Sequence, residues 1–255
     1  MAFNITSSWR GVVGCIKPTF RPGNLEEFIR LLPAGIGVFP LWVGNPPKGS
    51  SGSTVEDLLG ERMEKARQLV AQLAELKVDL IHIEGGPLLM VHGYQAAEEI
   101  LSGLEKKHAI PVFSTGQSQV AALRALGIKR IVAATYLRED VTQKCAQYIM
   151  EAGFEVLCFE TIQSIGVKHA EVGRLDSKNV YSFIKQIYLK HQDQDIQGIY
   201  LFGSGWPVLD IVQILEQDLQ VPVIQAVAAR IWDIQKRLHI REPIKGYGRL
   251  LEELP

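Results

Sequence analysis

Residues 83–89, Ile83-Glu84-Gly85-Gly86-Pro87-Leu88-Leu89 (IEGGPLL), close an apolar run with an acid, two glycines and a proline before a helical pattern begins. A strand that stops in glycines just ahead of a helix is where open α/β sheets take ligands, because ligands sit outside the carboxyl ends of parallel strands. Glycine lets the backbone approach a ligand closely, and successive N–H groups at the start of a helix suit a carboxylate or phosphate. Proline in the first helical turn gives up only an N–H that would have been unpaired.

The same arrangement occurs twice. VGCIKPT at 13–19 and IVAATYL at 131–137 are apolar strands that each feed a loop and then a helix, and they lie 118 positions apart. That offset carries Gly85 onto Gly203, so IEGGPLL corresponds to LFGSGWPVL, a second strand ending in glycines with a proline beyond. A third match, AIPVFS with QVPVIQ, comes at an offset of 111. Three ordered matches predict two similar halves. Their glycine loops then face a shared cleft, with an anion held between Gly85, Gly86 and Pro87 on one side and Gly203, Ser204 and Gly205 on the other.

The rest of the chain has the alternation this needs. VVGCI, IGVFPLWV, VDLIHIE, IPVFS, RIVAAT, FEVLCFE, GIYLFG and VPVIQ read as strands, separated by helical patterns. Alternating strands and helices imply parallel sheets covered by helices. The clearest helix runs from about Val55 to Leu76, with Met63, Ala66, Leu69, Val70, Leu73 and Leu76 along one face. Gly44–Thr54, GNPPKGSSGST, is too rich in Gly, Pro and Ser for regular structure and reads as a lid over a site or as a solvated connection.

Composition narrows the partners. At 255 residues the chain can bury a full core, and 27 basic against 28 acidic residues leave no charge excess to attract nucleic acid or an anionic membrane. A small molecule is the expected partner. The N-terminal MAFNITSSWRG shows no basic stretch followed by an apolar run, and no apolar stretch reaches bilayer length, so a cytoplasmic location is expected. Cys15, Cys145 and Cys158 are odd in number and widely spaced, outside any CxxC or Cys/His motif, which suggests buried thiols and neither a disulfide framework nor a metal site. No GxGxxG follows the first strand, which weakens a flavin- or nucleotide-binding reading.

The ordered set GCIKPT, IEGGPLLMVHG, IPVFSTGQSQVAALRALGIKRIVAATYLREDV, HAEVGRLD, LFGSGWPVLD, VPVIQA and GYGRLLEE resembles the aspartate/glutamate racemase superfamily, and within it the arylmalonate decarboxylase and maleate isomerase branch. The resemblance implies two flavodoxin-like halves related by a pseudo-two-fold axis, here residues 1–114 with 225–255 and residues 115–224. It also implies an active site between them, on a small carboxylic acid, with no metal or organic cofactor. Members use one or two cysteines, one at the end of each half's central strand, and the matching positions here are Gly85 and Gly203. Glycine neither moves protons nor attacks double bonds, so the inherited chemistry does not carry over unchanged. Homo-oligomerisation is left open.

The resemblance further marks Tyr136 in ATYLRED as the tyrosine that holds a substrate carboxylate. Pro18 and Thr19, at the end of GCIKPT, are further substrate-binding candidates, and Arg21 beyond them falls where the isomerase branch has an asparagine; it grips a carboxylate or is a solvated loop residue. His169 stands where that branch has a substrate-binding asparagine, and as the side chain that titrates nearest neutrality it is a natural acid or base. Glu84 serves as a base if the cleft raises its pKa, or else caps the next helix or pairs with a cation. Ser204 is a hydrogen-bond donor with no partnered base visible, His82 a packed residue, and Trp206 and His92 candidate lining. The expected function is proton transfer or decarboxylation on a small carboxylic acid in a cysteine-free site; the alternative is a non-catalytic carboxylate-binding protein on the same fold.

Overall fold

A computed structural model describes residues 8–18, 23–44 and 55–255, with side chains from residue 59 onward in the last segment. Eight strands and ten α-helices are present among the described residues. In chain order they are β1 (Gly11–Lys17), α1 (Asn24–Leu31), β2 (Ile36–Trp42), α2 (Val55–Glu75), β3 (Leu80–Ile83), α3 (Pro87–Met90), α4 (Tyr94–His108), β4 (Val112–Ser114) and α5 (Thr115–Ala125). The second series is β5 (Arg130–Thr135), α6 (Glu139–Glu151), β6 (Glu155–Thr161), α7 (Ser177–Lys190), β7 (Gly198–Leu201), α8 (Val212–Leu219), β8 (Val223–Gln225), α9 (Ala226–Arg237) and α10 (Arg249–Glu253). None of the described helices is long and apolar enough to cross a membrane.

The strands form two four-stranded parallel sheets of the same order, β2-β1-β3-β4 and β6-β5-β7-β8. Parallel strands of this kind need both faces covered, which explains the near-continuous apolar runs in the inner strands. The pairing register repeats the sequence offsets. Val13 sits opposite Leu80 and Ile131 opposite Gly198, both members shifted by 118. Ile81 sits opposite Val112 and Ile199 opposite Val223, shifted by 118 and 111. These pairs of the two flavodoxin-like halves therefore correspond residue by residue, whereas the β5–β6 register shifts by one between Ile131 and Val132 and β1–β2 does not.

Each strand read from the sequence is present. Pro40 lies within β2, an edge strand, where a missing N–H costs no ladder bond on the outer side. In α2 the residues Met63, Ala66, Leu69, Val70 and Leu73 are buried, but Leu76 is 53 % exposed. The helix ends at Glu75 and Lys77 turns to φ 54°, so Leu76 leaves the apolar stripe.

Two helices that follow a fourth strand tie the halves together. α5, after β4, reaches the second sheet, where Gln119 Nε2 donates to the Leu201 carbonyl at 3.1 Å and Gln119 Oε1 accepts from Tyr200 Oη at 3.0 Å. α9, after β8, reaches the first, where Arg230 Nη1 meets Glu84 Oε2 at 2.9 Å. Gln119 and Arg230 are themselves 111 positions apart. The helices also bond to each other, Ser118 Oγ to Asp233 Oδ2 at 2.7 Å, both buried. Their first turns are capped alike, by Ser114 accepting from the Gln117 N–H and by Gln225 accepting from those of Val227 and Ala228.

Candidate active site

Both glycine loops turn through the left-handed region just beyond their strands, Gly85 at φ 92° and Gly203 at φ 86°. Glycine adopts this conformation without the Cβ penalty that other residues incur. A Cβ at Gly85 would lie 2.7 Å from Pro18 Cγ, and one at Gly203 would lie 2.5 Å from Tyr136 Cε1. Pro18 and Tyr136 are also 118 apart. In each half, then, the ring that follows the first strand occupies the room that a side chain at the glycine would need. Gly86 approaches the opposite half, its Cβ position 2.2 Å from Phe202 Cζ, and Gly205 lies under the Tyr136 hydroxyl, 2.5 Å from its Cβ position.

Between the loops lies a cavity of about 660 Å³. The predicted residues Pro18, Glu84, Gly85, Gly86 and Pro87 line it from the first half, and Tyr136, His169, Gly203, Ser204 and Gly205 from the second. Thr19 and Arg21 lie outside the described residues, as does the 44–54 segment beyond Gly44. Trp206 does not line the cavity but packs edge-on behind Tyr136 at 6.0 Å, with its indole N–H on the Gly203 carbonyl; His92 is exposed elsewhere. His169 opens an exposed 3-10 segment, His169–Arg174, and its ring is 6.1 Å from that of Tyr136.

Beneath the first loop is a buried charge network that the sequence reading did not anticipate. Glu84, 4 % exposed, accepts from Lys17 Nζ at 2.5 Å and Arg230 Nη1 at 2.9 Å on one oxygen, and from Ser204 Oγ at 2.7 Å on the other. Lys17 Nζ also donates to Asn24 Oδ1, and Asn24 Nδ2 donates to the Ser204 carbonyl at 2.9 Å. Arg230 is 1 % exposed, stacks 4.1 Å over the Phe28 ring, and has Nε and Nη2 without hydrogen-bond partners. The positions equivalent to Lys17, Glu84 and Arg230 in the other half are Thr135, Phe202 and Gln119, all uncharged. One half of a symmetric fold therefore carries a net cationic floor.

This network corrects the expectation of Glu84 as a base. Burial alone would raise its carboxyl, but Arg230 and Lys17, with hydrogen bonds from Lys17 and Ser204, outweigh burial and hold it well below the usual carboxylate range. That is the opposite of the shift a proton carrier near neutrality needs, and the pairing alternative describes Glu84 instead. Burial lowers Lys17 against the attraction of Glu84. Ser204 uses its hydroxyl proton on Glu84, so it does have a carboxylate partner, but one too weakly basic to activate it.

His82 is packed as expected. Burial first, then Arg230, pull its pKa well below the ordinary value; Nε2 lies 3.4 Å from Thr115 Oγ1 and Nδ1 has no partner. None of the three cysteines lines the cavity. Burial pushes the Cys15 thiol up to about 12 and that of Cys158 up to about 11. Cys158, Glu160 and His191 do come together, their donor atoms within 4.8 Å of one another, but away from the cavity and with Glu160 already paired to Lys190 at 3.1 Å. Sequence spacing hid this group because His191 joins it only through the fold.

The polar lining residues missed from sequence are Asn24, Arg62, Thr115 and Arg174. Arg62 had a signal, being a cation at the border of the apolar face of α2. Arg230 and Lys17, under the floor, had none, since their counter-ion is far away in the chain.

Two like α/β halves, with glycine loops converging on a cavity and cations beneath it, define a two-domain α/β fold of the racemase type. The chain belongs to the arylmalonate decarboxylase family, whose model matches residues 53–251, within the aspartate/glutamate racemase superfamily. It is 26 % identical over 193 residues to the arylmalonate decarboxylase of Bordetella bronchiseptica, covering 75 % of this chain and 77 % of that protein. It is 23 % identical over 193 residues to the maleate isomerase of Geobacillus stearothermophilus, covering 74 % and 75 %. Among solved structures, a glycine-to-cysteine variant of arylmalonate decarboxylase in a sulfate-associated form superposes with a TM-score of 0.80 at 21 % identity, over 94 % of this chain and 99 % of that one. A cysteine-to-serine variant of the Nocardia farcinica maleate cis-trans isomerase, bearing a covalent succinylcysteine intermediate, gives 0.81 at 18 %, over 95 % and 98 %.

Proposed function

We propose that this chain is a cofactor-independent enzyme of the superfamily that decarboxylates, or moves a proton on, a small carboxylic acid without a catalytic thiol. The observation that carries the proposal is the convergence of the two glycine loops on one cavity over the net positive Lys17–Glu84–Arg230 cluster. Gly85 and Gly203 stand at the positions that the family resemblance gives to cysteine, and the rings of Pro18 and Tyr136 fill the space in their place.

Decarboxylation needs no nucleophile. The substrate carboxylate is held by N–H groups around Gly85–Gly86 and Gly203–Gly205, with Tyr136 beside them. The bond from Cα to a second carboxylate breaks, that group leaves as carbon dioxide, and the electron pair spreads into the held carboxylate as an enediolate that the same N–H groups and the cationic floor stabilise. The imidazolium of His169 then returns a proton to Cα, and the imidazole is reprotonated from water. In this scheme Glu84 is a positioning residue: as a permanent anion it fixes Ser204 and, through Lys17 and Asn24, the backbone of the second loop. The halves divide at residues 1–114 with 225–255 and 115–224, a division supported by the return of α9 to Glu84.

The alternative is a non-catalytic carboxylate binder, favoured by the absence of any cysteine from the cavity lining. Turnover assays with aryl- and alkylmalonates and maleate, on wild type and on His169→Ala, separate the two. Carbon dioxide release that is lost in the variant supports the enzyme. Carboxylate binding with no turnover of any of these acids supports the binder, and release at the wild-type rate in the variant refutes the role of His169.

A further inference from the structure

One group of donors lies outside the central cavity and takes no part in the scheme above. Cys158 and Glu160 are two positions apart in β6, the edge strand of the second sheet, so their side chains leave the same face. Cys158 packs against the apolar cluster that holds Ile184 and Ile187 of α7, and α7 itself ends in His191, its C-cap. One donor atom from each of Cys158, Glu160 and His191 falls within 4.8 Å of the other two, and no second His, Cys and carboxylate group of this kind occurs among the described residues. All three residues are half-buried.

The register makes the strand pair a property of this half alone. Past the one-residue shift in β5–β6, Val132 pairs with Cys158 and Ala134 with Glu160, whereas in the first half Gly14 pairs with Phe39 and Ile16 with Leu41. Where one edge strand carries two apolar side chains, the other carries a thiol and a carboxylate. A bulge of this kind re-aims the side chains that follow it.

The histidine supplies an independent observation. Its Nε2 is buried with no hydrogen-bond partner, a state that native structures rarely leave without a reason. Nδ1 lies 3.1 Å from the side-chain amide of Gln194. A half-turn of that amide sets its oxygen to accept from Nδ1–H, which fixes the tautomer whose Nε2 lone pair faces a metal. Lys190 holds Glu160 Oε1 at 3.1 Å, but the lysine side chain is 67 % exposed and such a pair is worth little, so a divalent ion competes for the carboxylate easily.

We propose that Cys158, Glu160 and His191 form a zinc site that staples the end of α7 to the edge strand β6. Thiolate, imidazole and carboxylate are all zinc ligands, with bonds of about 2.0–2.3 Å, so a spread of 4.8 Å closes onto one ion through side-chain movements of about an ångström. The sulfur selects against magnesium and calcium, which take oxygen ligands. Zinc replaces the thiol proton, which passes to solvent, and water completes a tetrahedral shell. The site is separate from the carboxylate cavity and does not depend on how that cavity is read.

The test is titration of the full chain, reduced and stripped of metal by a chelator, with zinc against a chromophoric competitor and with cobalt followed by absorbance. Wild type is expected to take up one zinc with a Kd of about 1 μM or tighter, to show a thiolate-to-cobalt charge-transfer band, and to melt at a higher temperature in zinc than in equal magnesium. Cys158→Ser is expected to abolish the cobalt band and, like His191→Ala, to weaken zinc binding about tenfold or more. His191→Ala, at a helix end, serves as the second variant should the serine form fold poorly. Absence of zinc binding at this affinity from wild type, a cobalt complex without the thiolate band, or an affinity unchanged in both variants overturns the inference.

Discussion

Glu84→Gln tests the buried network most sharply. The substitution keeps the shape of the side chain and removes the charge shared by Lys17 and Arg230, both almost without exposed surface. Removing one partner of a buried ion pair leaves an uncompensated charge and costs about 3–5 kcal/mol. In a chain of this size each kcal/mol moves Tm by roughly 2–4 °C, so the expected drop is roughly 6–20 °C at pH 7. The pH dependence has a definite sign. The folded carboxyl lies below its ordinary 4.5, so its contribution is complete above the unfolded value and is lost as pH falls through the folded one. The gap between wild type and variant therefore holds from pH 7 to about 5 and narrows progressively below the unfolded value of 4.5. Chemical denaturation of both proteins between pH 3 and 7 measures it. A loss under about 1 kcal/mol at pH 7, against the expected cost of breaking a buried pair, or a gap unchanged down to pH 3, would refute the reasoning.

Four other substitutions bear on the same site. Ser204→Ala removes a donor from a buried carboxylate and is expected to cost about 1.5–3 kcal/mol in denaturation; a cost under about 0.5 would mean that Glu84 does not depend on that bond. Gly203→Cys places a side chain in a left-handed position against the Tyr136 ring, so strain of about 1–2 kcal/mol adds to a clash. Tyr136→Ala in the same chain is expected to recover at least about 1 kcal/mol of that loss, and additivity of the two changes would contradict the shared space. His169→Ala, on an exposed segment, is expected to change stability by less than about 0.5 kcal/mol. The same variant should lose roughly 10²–10⁴-fold in turnover of any malonate the wild type accepts, and equal loss of fold and rate would sink its assignment.

The architecture was legible in the sequence because it depends on local patterns that occur twice. The offsets of 118 and 111 between motifs return as the register of the β1–β3 and β5–β7 pairs and of the pairs with β4 and β8. The glycines were legible too, since a strand end needing φ near 90° admits little else. What sat on those loops was harder to read. The repeat that revealed the fold also implied like surroundings for Glu84 and Phe202, whereas only the first half holds Lys17 and Arg230. An ion network among residues 17, 84 and 230 has no local pattern; it depends on α9 crossing back to the first sheet, which only the packing determines. The same limit applied to Arg62, whose place on α2 was legible and whose cavity was not.

The central claim is that a carboxylate binds across the two glycine loops. A crystal structure of the protein with bound malonate tests it most directly. The account predicts carboxylate oxygens within hydrogen-bonding distance of backbone N–H groups from both loops, at Gly85–Gly86 and at Gly203–Gly205, with the Glu84–Ser204 bond intact. Malonate bound at one loop alone, or away from both, would contradict it.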